Sequence, residues 1–283
     1  MAYAFERDEP APEAIARIMR EQIARARKQL TDAKAPVEKR VHDARKRFKE
    51  TRAVVRLVRE PLGAQFAVEN AWWRDAGRDL ASARDAEAVI EALDKLELPP
   101  AVTRRTRKRL ESRRDATSAK EIEARVAKIA ALVAGAEARL ARWPTLPDSF
   151  DAIVDGLART YRDGRRAMKT ARVEQAASDY HEWRKRVKDH WYHAQLLQHV
   201  WPDVMKVYAG QLASLSRALG DHHDLDVLRG IVGSSPRKLL DAIDARQVEL
   251  EARAAELGAR VYAERPRTWL ARMRNYWNAW RAT

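Results

Sequence analysis

One phrase occurs twice in this chain. Residues 42–50 read His42-Asp43-Ala44-Arg45-Lys46-Arg47-Phe48-Lys49-Glu50, and residues 181–189 read His181-Glu182-Trp183-Arg184-Lys185-Arg186-Val187-Lys188-Asp189. Both run histidine, acid, any residue, Arg-Lys-Arg, an apolar residue, lysine, acid, at an offset of 139 residues (42 to 181). A second pair of segments keeps the same offset (85 to 224): Leu80 through Arg84-Asp85-Ala86 answers Leu219-Gly220 through His223-Asp224-Leu225. Two motifs at one spacing, with no net insertion between them, read as an internal duplication. Such a chain is expected to fold as two related units about an approximate two-fold axis, with like elements facing one another.

Successive helical residues turn by about 100°. That places His42, Arg45, Lys46, Lys49 and Arg56 on one face, against Val41, Ala44, Phe48, Val55 and Val58. The second copy aligns His181, Arg184, Lys185, Lys188 and Tyr192 against Tyr180, Trp183, Val187, Ala194 and Leu197. Each copy is an amphipathic helix whose wet side is almost purely cationic. Solvated surface helices usually mix signs, because acid–base pairs at i,i+4 support them. A same-sign stripe costs stability that a polyanion would offset.

The rest of the chain reads as helix. Gly (10) and Pro (11) are sparse, and no stretch alternates β-branched residues. A first helix is expected over 13–30, with Arg20, Arg27 and Lys28 opposite its apolar face. The basic helix follows over 37–60, then helices over 65–82, 86–96 and 118–143, with the seven-cation stretch 104–114 between them. Pro144-Thr145-Leu146-Pro147 is the best internal boundary, so one repeat spans about 12–146 and the other about 147–283, after a lead-in over 1–11. In the second repeat, Arg165 and Arg166 answer Arg27 and Lys28, with Lys169 one turn on. The basic helix is expected over 173–199, a helix over 204–219, a corner at His223-Asp224 matching Arg84-Asp85, and helices over 237–262 and 266–281.

Lys+Arg 55 against Asp+Glu 41 gives a net charge of +14 and favours an acidic partner. The absence of cysteine excludes disulfides, thiolate nucleophiles and Cys-ligated metals. No signal peptide and no run of 18 apolar residues is found, so the expectation is a cytoplasmic protein. No nucleophile–base pair stands out, so catalysis is not expected, nor is a cofactor or metal. His222-His223-Asp224 is weighed as a metal site and set aside, because adjacent histidines on a helix diverge.

The repeated H-x-x-R-x-x-x-K phrase, Tyr192 trailing its second copy, and the Leu219-Gly220-x-x-His223-Asp224-x-Asp226-Val227 segment together resemble the CHAD family, the conserved-histidine α-helical domain, over about residues 12–283. The resemblance implies an all-α fold: two four-helix bundles with pseudo-two-fold symmetry around a basic central cavity. It also implies binding of inorganic polyphosphate without catalysis, and association with polyphosphate granules. Carried over by position, the family's basic residues fall on His42, Arg45, Lys49 and Arg52, and on His181, Arg184 and Lys188. The corner pairs are Arg84-Asp85 and His223-Asp224. Trp191 answers Arg52 and His223 answers Arg84, so the two sides of the cavity are expected to contribute unequally.

Polyphosphate is a flexible strand of charge with no bases to read. A site for it needs point charges and forked donors along a track, which Lys and Arg supply; the histidines gain charge as pH falls. Two alternatives stay open. One is a nucleic-acid binder, with some of the nine tryptophans stacking on bases. The other is a protein attached to a granule or membrane surface through the basic, Trp-rich segment 266–281.

Overall fold

Prolines and residues at positive φ punctuate the chain, and the helices fall between them. The computed structural model describes residues 3–80, 85–115, 119–233 and 236–282; among these every regular element is a helix. α1 (Ala11–Thr31) precedes Pro36, which leads into α2 (Val37–Leu57). Pro61 ends α2 short of the Glu60 expected from the sequence, because its ring excludes the carbonyl four residues back, that of Leu57, and it brings no N–H. The chain restarts as a single turn, α3 (Arg59–Leu62), and Gly63 at φ +53° redirects it into α4 (Gln65–Asp79).

A helical hairpin follows, α5 (Asp85–Asp94) and α6 (Pro100–Asp115), then α7 (Ala119–Ala134) and the short α8 (Ala136–Leu140). After a 3-10 turn at Phe150–Ala152 come α9 (Val154–Glu174) and α10 (Ala177–Leu196). Val173, expected to open the basic helix, instead lies near the end of α9, and Gln175 at φ +54° separates the two helices. α11 (Pro202–Val232), α12 (Arg237–Val261) and α13 (Pro266–Ala282) complete the chain.

The helices pack as two four-helix groups. α1, α2, α4 and α7 form one, around Ile18, Ile23, Phe48, Val55, Trp73 and Ile129; α9 to α12 form the other, around Leu157, Trp183, Val187, Leu215 and Leu257. Each such side chain contributes about 1.5–3 kcal/mol on burial. The groups interlock. Gly156 at the start of α9 sits where a Cβ would run into the backbone carbonyl of Leu57, so α9 begins directly on the end of α2. The α5–α6 hairpin packs away from its sequence neighbours, on α11 and α12: Lys95 Nζ bonds Asp221 at 2.8 Å, and Arg109 donates to the Ile231 carbonyl at 2.8 Å.

One expectation is corrected. His223-Asp224 is not a corner. α11 runs unbroken through it, because Leu219, Leu225 and Leu228 pack inward and His222 Nε2 lies 2.9 Å from Glu251 on α12. That packing overrides the glycine and aspartate as turn signals. Arg84 lies outside the described residues, as does the side chain of Asp85, whose backbone opens α5. The aromatic face of 266–281, weighed as a surface contact, is turned into the core: Trp269, Met273, Trp277 and Trp280 are buried, with Trp269 stacked on Tyr161 at 4.4 Å and Trp277 edge-on to Phe5 at 5.2 Å. No helix among the described residues is long and apolar enough to cross a membrane.

Candidate functional site

The two basic helices meet near their C-terminal ends. His193 Nε2 lies 2.8 Å from the Ala53 carbonyl, and the Arg56 guanidinium pairs with the Asp189 carboxylate. Tyr3 ties the N-terminal segment to the same crossing by donating to the Glu50 carbonyl at 2.8 Å. Val41, Ala44, Phe48 and Val55 of α2 are buried, and this turns His42, Arg45, Lys49, Arg52 and Arg56 into one half-buried stripe. On α10, Tyr180, Trp183 and Val187 are buried in the same way, leaving His181, Arg184 and Lys188 as the corresponding stripe.

Arg52 is the most perturbed cation of the first stripe. Its hydrogen bond is a long one, 3.4 Å from Nε to Asn70 Oδ1 on α4. Burial, followed by the like charge of Arg56, pushes its pKa down to about 10 against the pull of Asp189; Arg74 and Arg78 of α4 push in the same direction. Three neighbouring guanidinium groups therefore act on Arg52 where α2 and α4 face each other.

The second stripe is more nearly balanced. The Arg184 guanidinium lies against Gly220, where a Cβ would stand 3.6 Å from its Nε and Nη2. It is within electrostatic reach of His223 and Asp224. Burial raises the Asp224 carboxyl, while Arg184, Lys95 and Lys188 act to lower it. The rings of His181 and His223 lie 4.2 Å apart, tilted by 36°. Burial, then the cations Lys185 and Arg184, lowers the pKa of His181; burial, then Arg184, lowers His223 to about 4. Both rings are thus neutral at pH 7. His222 points the other way, into the core toward Glu251.

Not every residue marked in the sequence joins these stripes. Tyr192 is 4% exposed and edge-on to Tyr3 at 6.4 Å, so it packs the crossing and presents no hydroxyl to a ligand. Lys185 is drawn to Glu182 instead of along the stripe, and Lys46 is exposed beside it on α2. Arg165 donates from Nε to the Tyr262 carbonyl at 3.1 Å, which satisfies an acceptor at the end of α12. Arg166 and Lys169 are exposed on α9, and Arg27 and Lys28 at the end of α1. Arg20 lines a cavity of about 300 Å³ beside α8, with Glu137, Trp143 and Leu146. A larger cavity, about 670 Å³, carries Glu6, Asp8 and Glu9 against Arg7 and Arg17. Its mixed charge does not suit a polyanion.

Sequence reasoning missed Arg74, Arg78, Lys95 and Asp221. The i,i+4 spacing of Arg74 and Arg78 was the available signal, masked by Trp72 and Trp73, which mark α4 as a packing helix. Lys95 and Asp221 meet only because the α5–α6 hairpin crosses to α11, which no local pattern encodes.

A family model described as the CHAD domain matches residues 14–233. Among solved structures, PptA from Streptomyces chartreusis aligns with a TM-score of 0.61 at 16% identity, over 92% of this chain and 99% of that one, a likeness of fold. No curated protein matches the sequence.

Proposed function

The chain belongs to the CHAD domain family, and from that premise we propose that it binds inorganic polyphosphate, without catalysis, along the cationic stripes of α2 and α10. CHAD domains are generally binding domains, and the family supports a polyphosphate-related role. The observation that carries the finer reading is the setting of Arg52, a partly buried guanidinium whose pKa is pushed down to about 10 by burial first and then by Arg56, with Arg74 and Arg78 adding to it against Asp189. A fold that holds like charges together at this cost is preorganised for a ligand that neutralises them. A strand of phosphates suits that need: each guanidinium offers a fork of donors, and each lysine a point charge. Lys49 extends the track on α2, and Arg184 and Lys188 continue it on α10. His181 and His223 take up charge when phosphate approaches. The same contacts give a route to polyphosphate granules in the cytoplasm.

The test is calorimetry with long-chain polyphosphate at near-physiological salt, with duplex and single-stranded nucleic acid in parallel. Polyphosphate is expected to bind more tightly than either, with affinity falling as salt rises. Equal or tighter binding of nucleic acid sinks the assignment. Lys49→Glu with Lys188→Glu is expected to weaken polyphosphate binding sharply while leaving the helical content intact; unchanged affinity moves the site elsewhere.

A further inference from the structure

The α5–α6 hairpin carries a charge pattern that neither stripe uses. α6 places Arg104, Arg105, Lys108, Ala101 and Ser112 on its solvent side, while Thr103, Thr106 and Leu110 are buried beneath. Three of the helix's cations have partners within the fold. Arg107 pairs with Asp94, Arg114 with Glu87, and Arg109 donates to the Ile231 carbonyl. Arg104, Arg105 and Lys108 differ from these three. All of them are exposed, and among the described residues no acid pairs with them. α12 shows the ordinary solution in the same protein. Its solvent face alternates signs in the pairs Arg237–Asp241, Arg246–Glu249, Arg253–Glu256 and Arg260–Glu256. The cationic face of α6 thus contrasts with the mixed-sign face of α12.

Its position matters as much as its charge. The pairs Arg107–Asp94 and Arg114–Glu87 fix α5 and α6 as antiparallel, so the first turns of α6 lie beside the last turn of α5. That turn leads into Lys95, which bonds Asp221 at 2.8 Å and acts electrostatically on Asp224, as do Arg184 and Lys188 of the α10 stripe. Lys95 thus ties the hairpin that carries the patch to the surroundings of the α10 stripe. The patch offers no aromatic side chain for a base to stack on, which favours a phosphate strand over a single-stranded nucleic acid.

We propose that Arg104, Arg105 and Lys108 form an outlying contact for the same polyphosphate strand, which leaves the α10 stripe past Lys95 and continues along α6. This rests on the proposed function, and it makes affinity depend on chain length. A short oligophosphate stays among the stripe residues, and only a long chain reaches α6.

The experiment compares the intact protein with an Arg104→Gln, Arg105→Gln, Lys108→Gln variant and with the corresponding triple glutamate variant. Circular dichroism checks that helical content is kept. The probes are tripolyphosphate, long-chain polyphosphate and single-stranded DNA. The expected result is unchanged tripolyphosphate affinity, with long-chain affinity falling roughly tenfold in the glutamate variant and less in the glutamine one. The slope of log affinity against log salt should fall by about two for the long chain only, taking roughly 0.7 per contact as for single-stranded nucleic acid. Equal long-chain affinity in all three proteins overturns the contact while leaving the proposed function intact. Loss confined to DNA overturns it in favour of a nucleic-acid surface. Failure of the wild type to bind either polyphosphate overturns both readings.

Discussion

Arg52→Gln is expected to make the protein more stable and a worse binder. The ordinary arginine pKa is 12.5, and Arg52 is held at about 10, chiefly by burial and then by Arg56. At about 1.4 kcal/mol per pH unit, that displacement bounds the penalty on the charged form at roughly 3 kcal/mol. Arg52 is only partly buried, so solvent screening brings the figure to roughly 1 kcal/mol. Glutamine removes the charge and keeps an amide able to bond Asn70. Unfolding of the variant should therefore move up by about 2–4 °C in Tm. Binding moves the other way: a charge-assisted hydrogen bond contributes about 1.5–3 kcal/mol, so polyphosphate affinity should drop tenfold or more. Thermal unfolding by circular dichroism and calorimetric titration read the two effects on one preparation. A variant less stable by about 1 kcal/mol or more, with polyphosphate affinity unchanged, would refute the reasoning, because Arg52 would then be a structural cation.

Three further outcomes follow from named residues. His181 and His223 are neutral at pH 7, and a bound polyanion favours their charged forms, so polyphosphate affinity should rise as pH falls from neutral toward the folded value of about 4 for His223, with proton uptake measurable in buffers of different ionisation enthalpy; His223→Asn should flatten the profile. Burial pushes His190 down to about 3 and His193 to about 4, so both are neutral in the fold but charge near pH 6.5 when unfolded. Their contribution is present above about pH 6.5 and is lost as pH falls toward the folded values, about 3 kcal/mol for His193 near pH 4. Urea midpoints compared near neutral pH and near pH 5 measure it, and a flat profile contradicts the assignment. Gly156→Ala presses a methyl group into the Leu57 carbonyl and should cost about 1–3 kcal/mol in urea unfolding; a neutral effect would mean that α9 and α2 separate easily.

Much of this was legible because the signals were local. The cationic stripes follow from helical periodicity once Phe48, Trp183 and Val187 are recognised as packing residues, and the breaks follow Pro36, Pro61 and Pro202. What escaped depended on residues distant in sequence. Tyr192 shares a face with Lys188 on a projection, but the N-terminal segment returns and Tyr3 covers it. Arg165 repeats the spacing of Arg27, yet it sits where α12 ends and is engaged by a carbonyl. His223-Asp224 carries corner residues, but the contacts of His222 and Leu225 hold α11 straight through them.

The two stripes differ most in how their acids are used. Glu50 and Asp189 occupy corresponding places in the repeated phrase. Glu50 is held within the first group by Arg47 at 2.6 Å, and burial raises its carboxyl. Asp189 instead crosses to Arg56 and joins α10 to α2. Asp221 and Asp224 stand beside Arg184, Lys188 and Lys95 on the second side. On the first side, Asp189 pairs with Arg56, and Asp75 bonds Arg74 at 2.8 Å and pairs with Arg78, two carboxylates against the four guanidinium groups of Arg52, Arg56, Arg74 and Arg78. The α10 side is therefore partly neutralised by its own acids, and the α2–α4 side keeps an excess of positive charge. A strand of phosphates gains most where that excess is least compensated, so the α2–α4 side should anchor the ligand and the α10 side should guide it outward past Lys95.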